Sequence, residues 1–473
     1  MEKIVAIVLA AGEGTRMKSE KAKVLHQISG VPMICHVIDT LSELKLDKIY
    51  VVVGNHGEEV IKALSNKNLN FIWQKEQLGT GHAVSQVKDK LKNFDGMVLV
   101  LCGDVPLIRS NTLKKLLDFH MASDSSSTIL TFYPENSSGY GRILRENNKN
   151  IIGIIEEIDA NKEQLKIKET NSGTYCFNWK KLSQVLKLLN PDNVKHELYL
   201  TDVIKVLSSR GEKISAMSVK NWKEVMGVNN REELAKTNYE MNQRILKKWM
   251  NSGVTIMDPD STYINTQVNI KNDTIIYPST LLEGKSKIGK NCEIGPFTRL
   301  VDSVIGDGSK VTYSVIHDSK IKKGTNVGPF SHIRPGTEIS ESVKIGSFVE
   351  VKKSSIGRGS KVPHLSYVGD TEIGDKVNIG AGTITVNYDG YRKHKTKIED
   401  NVHIGSDSML VAPITIGKGS VTGAGSVLTK NVPPDSLALE RGEQVIKQGW
   451  AKRKREIEKK RQLKKKNKNK EGS

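Results

Sequence analysis

The sequence predicts two folds in series, an α/β domain with a parallel sheet and then a parallel β-helix. Three observations predict them. Ile4 to Ala10 is a continuous apolar run that ends in a glycine loop. Helical and strand patterns alternate after it. From about residue 288 to 432 a six-residue period returns, first as Ile288-Gly289-Lys290-Asn291-Cys292-Glu293 and then as Ile294-Gly295-Pro296-Phe297-Thr298-Arg299. At 473 residues the chain is too long for one ordinary core, so two or more domains are expected.

The run Ile4–Ala10 has the composition of a central strand buried on both faces. Helical patterns over 33–44, 58–64 and 112–120 alternate with strand patterns over 49–54 and 97–101, which places ligand sites at the carboxyl ends of the strands. There stands Ala11-Gly12-Glu13-Gly14-Thr15-Arg16-Met17. Gly12 and Gly14 let backbone amides approach an anion, Arg16 adds a positive fork, and Lys23 offers a second cation. No Gly-Lys-Ser/Thr follows, and Met17 occupies the third glycine position, so neither a Walker A motif nor the dinucleotide fingerprint is present. After the second strand, Gly103-Asp104 puts a carboxylate at the same edge. Such a group caps a turn or holds Mg²⁺, and the glycine loop beside it favours the metal.

Residues 231–250 lack Gly and Pro, and Leu234, Met241, Ile245, Leu246 and Trp249 recur at helical spacing. Periodicity alone fits a linker helix and a helix of the first domain's core equally well. In the repeat region, aliphatic residues such as Ile321, Val327, Ile345, Ile356, Ile373, Ile379, Ile404 and Ile416 stand mostly before glycine. Three hexapeptides make one coil of a parallel β-helix. Strands of a sandwich would place turns about every 8–12 residues instead. The period breaks at Thr385–Thr396, read as a loop thrown from one corner, with Arg392, Lys393 and Lys395 suited to an anionic carrier or to solvent. His364 lies among Arg334, Lys352, Tyr367, Asn378 and Asn387 on neighbouring rungs or the loop. A lone histidine is more often structural than catalytic, but these polar neighbours favour chemistry.

Charge and cysteines bound the remaining classes. The formal charge is +19, yet from Lys452 onward twelve Lys or Arg face three Glu, so nearly half of the excess sits in the tail. Specific nucleic-acid binding is therefore not expected, and residues 451–473 read as a basic, disordered extension. The chain has no run of about 18 apolar residues, so no membrane span is expected, and no signal peptide is read at its start. Cys35, Cys102, Cys176 and Cys292 show no metal spacing and read as reduced thiols of a cytoplasmic protein.

Leu9-Ala10-Ala11-Gly12-x-Gly14-Thr15-Arg16-Met17 with Lys23 resembles the signature of sugar-phosphate nucleotidyltransferases. Gln74-Lys75-Glu76-Gln77-Leu78-Gly79-Thr80-Gly81-His82-Ala83 is similar to their nucleobase segment. Gly139-Tyr140-Gly141-Arg142, Glu156, Thr170-Asn171-Ser172-Gly173 and Gly227-Val228-Asn229-Asn230 follow in the family's order. Over nearly its whole length the chain resembles the bifunctional N-acetylglucosamine-1-phosphate uridyltransferase/glucosamine-1-phosphate acetyltransferases.

That resemblance implies a Rossmann-like nucleotidyltransferase domain (1–231), a linker helix (232–252) and a left-handed hexapeptide β-helix (253–450). It implies acetyl transfer from acetyl-CoA to glucosamine-1-phosphate, then uridylyl transfer from UTP, making UDP-N-acetylglucosamine for peptidoglycan and lipopolysaccharide. Leu9, Ala10, Ala11, Gly12, Arg16, Lys23 and Gly103 would line the nucleotide, and Gln74, Gly79 and Thr80 would hold uracil and adjoining groups. Gly141, Glu156 and Asn171 would hold N-acetylglucosamine, while Asp104 and Asn229 would carry Mg²⁺. His364 would be the general base of acetyl transfer. Arg334 and Lys352 would grip the sugar phosphate, Tyr367 and Asn378 the sugar, and Ala381, Asn387, Tyr388, Ser406, Ala424 and Arg441 the acetyl-CoA. The family's members form trimers, so a homotrimer is expected. Two departures stand out: Ala22 where the family has proline before the lysine, and Pro363 where it has a small or amide residue before the histidine. A nucleotidyltransferase with the β-helix as scaffold is the alternative. A non-enzymatic regulatory subunit is a third reading, which the Asp104/Asn229 pair argues against.

Overall fold

The structure, a computed structural model, describes residues 3–147 and 149–468. The chain divides into two compact units, Met1–His317 and Asp318–Ser473.

In the first unit a sheet runs in the order Ile214–Ser218, Ser127–Phe132, Thr170–Asn178, Met97–Cys102, Ile4–Ala10, Lys48–Val53, Asn70–Trp73. Ile4–Ala10 pairs in parallel with a strand on each side. Both of its faces are covered. Ala6, Val8 and Ala10 join one apolar cluster with Ile34, Val37 and Leu113, while Val5 and Ile7 join another with Val84, Trp179 and Val203. Successive residues thus enter opposite layers, which is why the strand reads as an unbroken apolar run. The parallel pairing expected around Ile4–Ala10 is present, and beyond it Thr170–Asn178 runs antiparallel to Met97–Cys102 and Ser127–Phe132. The sheet is mixed, and this strand carries Asn171 to the edge where the glycine loop lies.

The expected helix spans Arg231–Asn251 and packs within the first unit. Asn230 caps it by accepting from the Glu233 amide at 2.9 Å, and Glu233 reaches back to the Asn229 amide at 2.7 Å. This reciprocal pair is a capping box displaced by one residue, since the amide is that of Asn229 and not of the cap residue Asn230. Farther along, buried Asn242 donates to the Thr262 carbonyl and accepts from the Ile264 amide, so the helix covers the open edge of the first coil.

Coils begin at Thr255–Ile256 and continue in the first unit to Val315–His317, then in the second from Ser319–Ile321 to Leu437–Ala438. Each coil contributes one short strand to each of three parallel sheets. In the first unit, Ile256, Ile276, Ile294 and Val311 fill one interior column, and Ile264, Leu282, Leu300 and Ile316 fill the next. Small hydroxyl residues follow them inside. Ser286, Ser303 and Ser314 are buried, and each donates to a backbone carbonyl two or three residues earlier, so these hydroxyls are paired inside the coil.

The extension expected to be disordered is helical over Trp450–Lys468. Its residues to 464 are exposed. Gly and Pro are absent from it, and Lys, Arg, Glu and Gln are strong helix formers, so local propensity holds it without a core. No helix among the described residues is long and apolar enough to cross a membrane.

Candidate active sites

The first site is a cleft of about 490 Å³ at the carboxyl ends of the central strands. The glycine loop from Leu9 to Arg16 forms one wall, with Lys23, Asp104 and Asn229 beside it and Gln74, Gly79 and Thr80 opposite. Gly14 has a left-handed φ of +67°, and a Cβ there would meet the Lys23 Cβ at 2.6 Å. Glycine therefore serves two needs at once, the turn and the close passage of Lys23. The Lys23 ammonium forms an ion pair with Asp104 Oδ2 and donates to Asn229 Oδ1 at 3.3 Å. Arg16 donates to the same Asn229 oxygen at 2.9 Å. Residues more than 200 positions apart in sequence thus converge, because the capping box fixes Asn229 and the Val228 amide donates to the Asp104 carbonyl at 3.0 Å.

Ala22 takes φ −50° and ψ 135°, values that proline also adopts, so the missing proline leaves Lys23 in the expected loop shape. Gly103 does not itself line the cleft but ties Asp104 to the glycine loop, its amide donating to the Leu9 carbonyl. Gly141, Glu156 and Asn171 adjoin one another at the same sheet edge but are not among the residues that line this cleft. The Asn171 amide donates to the Gly141 carbonyl at 2.9 Å, and a Cβ at Gly141 would lie 3.4 Å from the Glu156 carboxylate. Burial raises the Glu156 pKa, which the Thr201 hydroxyl (3.2 Å) and Lys195 partly oppose. Burial, and then the Asp104 charge, push the Cys102 thiol up to about 12, so this cysteine on the cleft wall is not a thiolate at neutral pH.

The glycine loop and the Gly103-Asp104 strand end had pointed to this cleft, but Lys195 and Glu197 also line it. They come from a stretch without periodicity, where no sequence signal marks them. His82 was visible inside the nucleobase segment, yet its contact with Gln74 (3.1 Å) required the fold.

The second site lies on the coils of the second unit. Lys352 ends one strand and pairs in register with Gly369, while Tyr367 opens the next. Asn387 is buried, donates to Asp370 at 2.5 Å and approaches the Tyr367 hydroxyl at 3.5 Å. Lys352 lies 3.9 Å from the same Asp370 carboxylate. Gly369 permits this cluster, since a Cβ there would meet Tyr367 Oη at 2.5 Å and Asn387 Nδ2 at 2.7 Å. Lys393, from the inserted loop, faces Lys352, whose ammonium group lowers the pKa of Lys393. The sequence had shown Lys393 only as part of a basic loop.

Arg334 pairs with Glu350 at 2.7 Å one coil earlier. Asn378 pairs in register with Lys361, on the strand that carries His364. His364 itself is exposed and stays in register opposite Ser347. Pro363 does not displace it: Gly346 leaves room for the Pro363 carbonyl, which stands 1.9 Å from where a Cβ at 346 would be. Ala381, Ser406 and Ala424 occupy one corner on successive coils, joined by the Asp407 amide on the Ala381 carbonyl (2.6 Å) and the Gly425 amide on the Ser406 carbonyl (2.8 Å). Tyr388 is exposed in the loop, its hydroxyl donating to the Gly390 carbonyl. Arg441 is exposed beyond the last strand, and its side chain makes no hydrogen bond or ion pair among the described residues, so the chain alone does not bring it to that corner.

Comparisons with known proteins match both halves of the chain. The profile of the nucleotidyl transferase family matches residues 5–253, which takes in the helix Arg231–Asn251. The bacterial transferase hexapeptide profile, of six repeats, matches 395–430. With three parallel sheets, that repeat makes the coils a left-handed parallel β-helix. "Bifunctional protein GlmU" of Geobacillus sp. (strain WCH70) is 48% identical over 453 residues, 96% of this chain and 98% of its own length. The protein of the same name from Heliobacterium modesticaldum is 47% identical over 96% and 99% of the two chains. That of Shouchella clausii is 46% identical over 95% and 98%. A chain with a nucleotidyltransferase cleft in one unit, a polar cluster on hexapeptide coils in the other, and this likeness from end to end belongs to the family of the bifunctional GlmU proteins.

Proposed function

We propose that the protein acetylates glucosamine-1-phosphate with acetyl-CoA and then joins the product to the uridylyl group of UTP, giving UDP-N-acetylglucosamine and pyrophosphate. The observation that carries this reading is the presence of two separate polar sites, one in each unit, in a chain that matches bifunctional relatives along nearly all of its length.

In the uridylyl site a phosphate oxygen of N-acetylglucosamine-1-phosphate attacks the α-phosphorus of UTP in line, and pyrophosphate leaves. Backbone amides of the glycine loop, Arg16 and Lys23 offset the charge that develops on the triphosphate. Gln74, Gly79 and Thr80 hold the uracil end, while Gly141, Glu156 and Asn171 hold the sugar, so catalysis rests on positioning and charge. Asp104 and Asn229 would hold Mg²⁺. Their fit is supported by two oxygens that already converge on one cation, the Lys23 ammonium. A hard cation with one or two protein ligands and phosphate oxygens suits that donor set. When bound, Mg²⁺ supplies charge neutralisation at the phosphates.

In the acetyl site His364 takes a proton from the sugar amine as its nitrogen attacks the thioester carbonyl. The C–N bond forms, the C–S bond breaks, and coenzyme A leaves as the thiol. Arg334 and Lys352 hold the sugar phosphate, Tyr367 and Asn378 the sugar. Ala381, Asn387, Tyr388, Ser406, Ala424 and Arg441 line the acetyl-CoA groove. Lys393 beside Lys352 supports an anion at this point. The exposed stacked rings of Phe330 and Phe348 (5.3 Å) support burial against further copies in a homotrimer. Four free cysteines fit a cytoplasmic location. The product would serve peptidoglycan and lipopolysaccharide synthesis.

The test supplies glucosamine-1-phosphate, acetyl-CoA, UTP and Mg²⁺, and omits each in turn. UDP-N-acetylglucosamine should form only with all four. Its formation from glucosamine-1-phosphate without acetyl-CoA, or acetyl transfer undiminished in His364→Ala, would overturn the assignment.

A further inference from the structure

We propose that His82 is a positioning residue that sets the nucleobase preference of the uridylyl site by fixing the Gln74 amide. The inference rests on the reading of this cleft as a uridylyl-transfer site with Gln74 at the base. Gln74 is only 3% exposed and yet lines the cleft. Its Nε2 donates to the Gly79 carbonyl at 3.1 Å and stands 3.1 Å from His82 Nδ1. A carboxamide nitrogen has two hydrogens, and these two acceptors use both. Gln74 Oε1 has no protein partner among the described residues. The amide cannot be turned over, because Oε1 would then face the Gly79 carbonyl, acceptor against acceptor.

The histidine is itself held in one tautomer. For Nδ1 to accept from Gln74, the imidazole proton must sit on Nε2, 2.9 Å from Gln86 Nε2, so the Gln86 amide must turn over to present its oxygen there, giving up only the longer contacts to the His82 carbonyl (3.3 Å) and Ser85 Oγ (3.4 Å). Helix Thr80–Ser85 supplies the spacing, since Gln86 follows His82 by four residues and meets it on one helix face. Gln86, His82 and Gln74 therefore form a relay whose last member shows the cleft a bare acceptor. Uracil presents N3–H at its Watson–Crick edge, and cytosine presents an unprotonated N3 there. A fixed Oε1 accepts from the first and repels the second, and a buried polar group left unpaired is a strong basis for rejection. Removal of the Nδ1 acceptor frees one Gln74 hydrogen. The amide can then twist to offer an N–H to the base, which suits cytosine.

The experiment measures kcat/KM for UTP and for CTP with N-acetylglucosamine-1-phosphate and Mg²⁺, in the wild type, His82→Leu and His82→Asn. In His82→Leu the UTP:CTP ratio should fall at least about tenfold. That change should appear in the nucleotide KM, with the sugar-phosphate KM unmoved. Asparagine places Oδ1 near the former Nδ1, so His82→Asn should restore most of the ratio. ¹⁵N spectra of the wild type should show His82 as the Nε2–H tautomer, a readout that does not depend on whether a variant folds. An unchanged ratio in a folded His82→Leu, or an Nδ1–H tautomer, overturns the inference. A wild type that releases no pyrophosphate from UTP and the sugar phosphate instead overturns the uridylyl reading on which it stands.

Discussion

His120 shows what burial does to one titratable group away from either site. It is 4% exposed, bonded to the Thr128 hydroxyl at 2.8 Å, and desolvation lowers its pKa from 6.5 to about 4. The folded chain therefore holds this ring neutral where the unfolded chain protonates it. Stability from this residue is complete above pH 6.5 and is lost as pH falls from 6.5 toward about 4. At pH 5 that loss amounts to about 2 kcal/mol relative to pH 7. Urea unfolding at the two pH values should show it in the wild type and not in His120→Gln; equal losses in both would place the acid sensitivity elsewhere. Functional residues were legible to different degrees. Asp104 and Lys23 could be read because a glycine loop and a strand end announce them locally. Asn229 could be placed beside them only by resemblance, since no local pattern spans 206 residues between Lys23 and Asn229. Lys195 and Glu197 were not legible at all, because nothing in their irregular segment distinguishes a cleft-facing side chain from a solvated one.

Among the elements, the helix Arg231–Asn251 has the widest reach. Its capping box holds Asn229, its Arg231 donates to the Met17 carbonyl at 3.2 Å, and its Asn242 closes the edge of the first coil. Asn230→Ala should lower stability by about 1 kcal/mol by removing the cap. It should also raise the Mg²⁺ concentration needed for half-maximal pyrophosphate release, because Asn229 loses its support, and leave acetyl transfer unchanged. Unfolding curves and a Mg²⁺ titration check both; a stability loss without any change in Mg²⁺ response would separate the cap from the site. The sequence could mark this helix but could not assign it, since apolar spacing is the same for a linker and a core helix. The antiparallel strand Thr170–Asn178 was hidden for a related reason. Alternation of helix and strand patterns says nothing of strand direction. Coils before residue 288 were less visible than later ones because fewer glycines mark their corners, although the same aliphatic columns run through them. The C-terminal helix was misread because composition reports the lack of a core, which is correct, and says little about backbone propensity.

At the scale of the whole molecule, each proposed site draws all of its named residues from one unit. Under the proposed function, the two activities should be separable. Asp104→Asn should reduce uridylyl transfer by at least about 100-fold and spare acetyl transfer, and His364→Ala should do the reverse. A mixture of the two variants should then convert glucosamine-1-phosphate to UDP-N-acetylglucosamine, with the intermediate crossing through solution. Product assays on the mixture decide this; half-reactions that persist in each variant without any final product would mean that the intermediate is handed over directly.

The inserted loop at Thr385–Thr396 has a consequence for how such a protein can change. Across it, strand partners stand 25 residues apart, where the coil before uses 17 and the coil after 18, yet Thr371 still meets Thr396 and Ile373 still meets Ile398 in register. The coil closes as though the extra residues were absent. Doubling the length of a flexible loop costs only about 0.6 kcal/mol. Outside its buried ends, at the exposed residues 388–393, length and composition are thus nearly free of the folding constraint that fixes Thr385, Asn387 and Thr396. Under the proposed function, acyl-donor preference can drift or be grafted there as an exchangeable part, while the rungs beneath it keep the same dimensions.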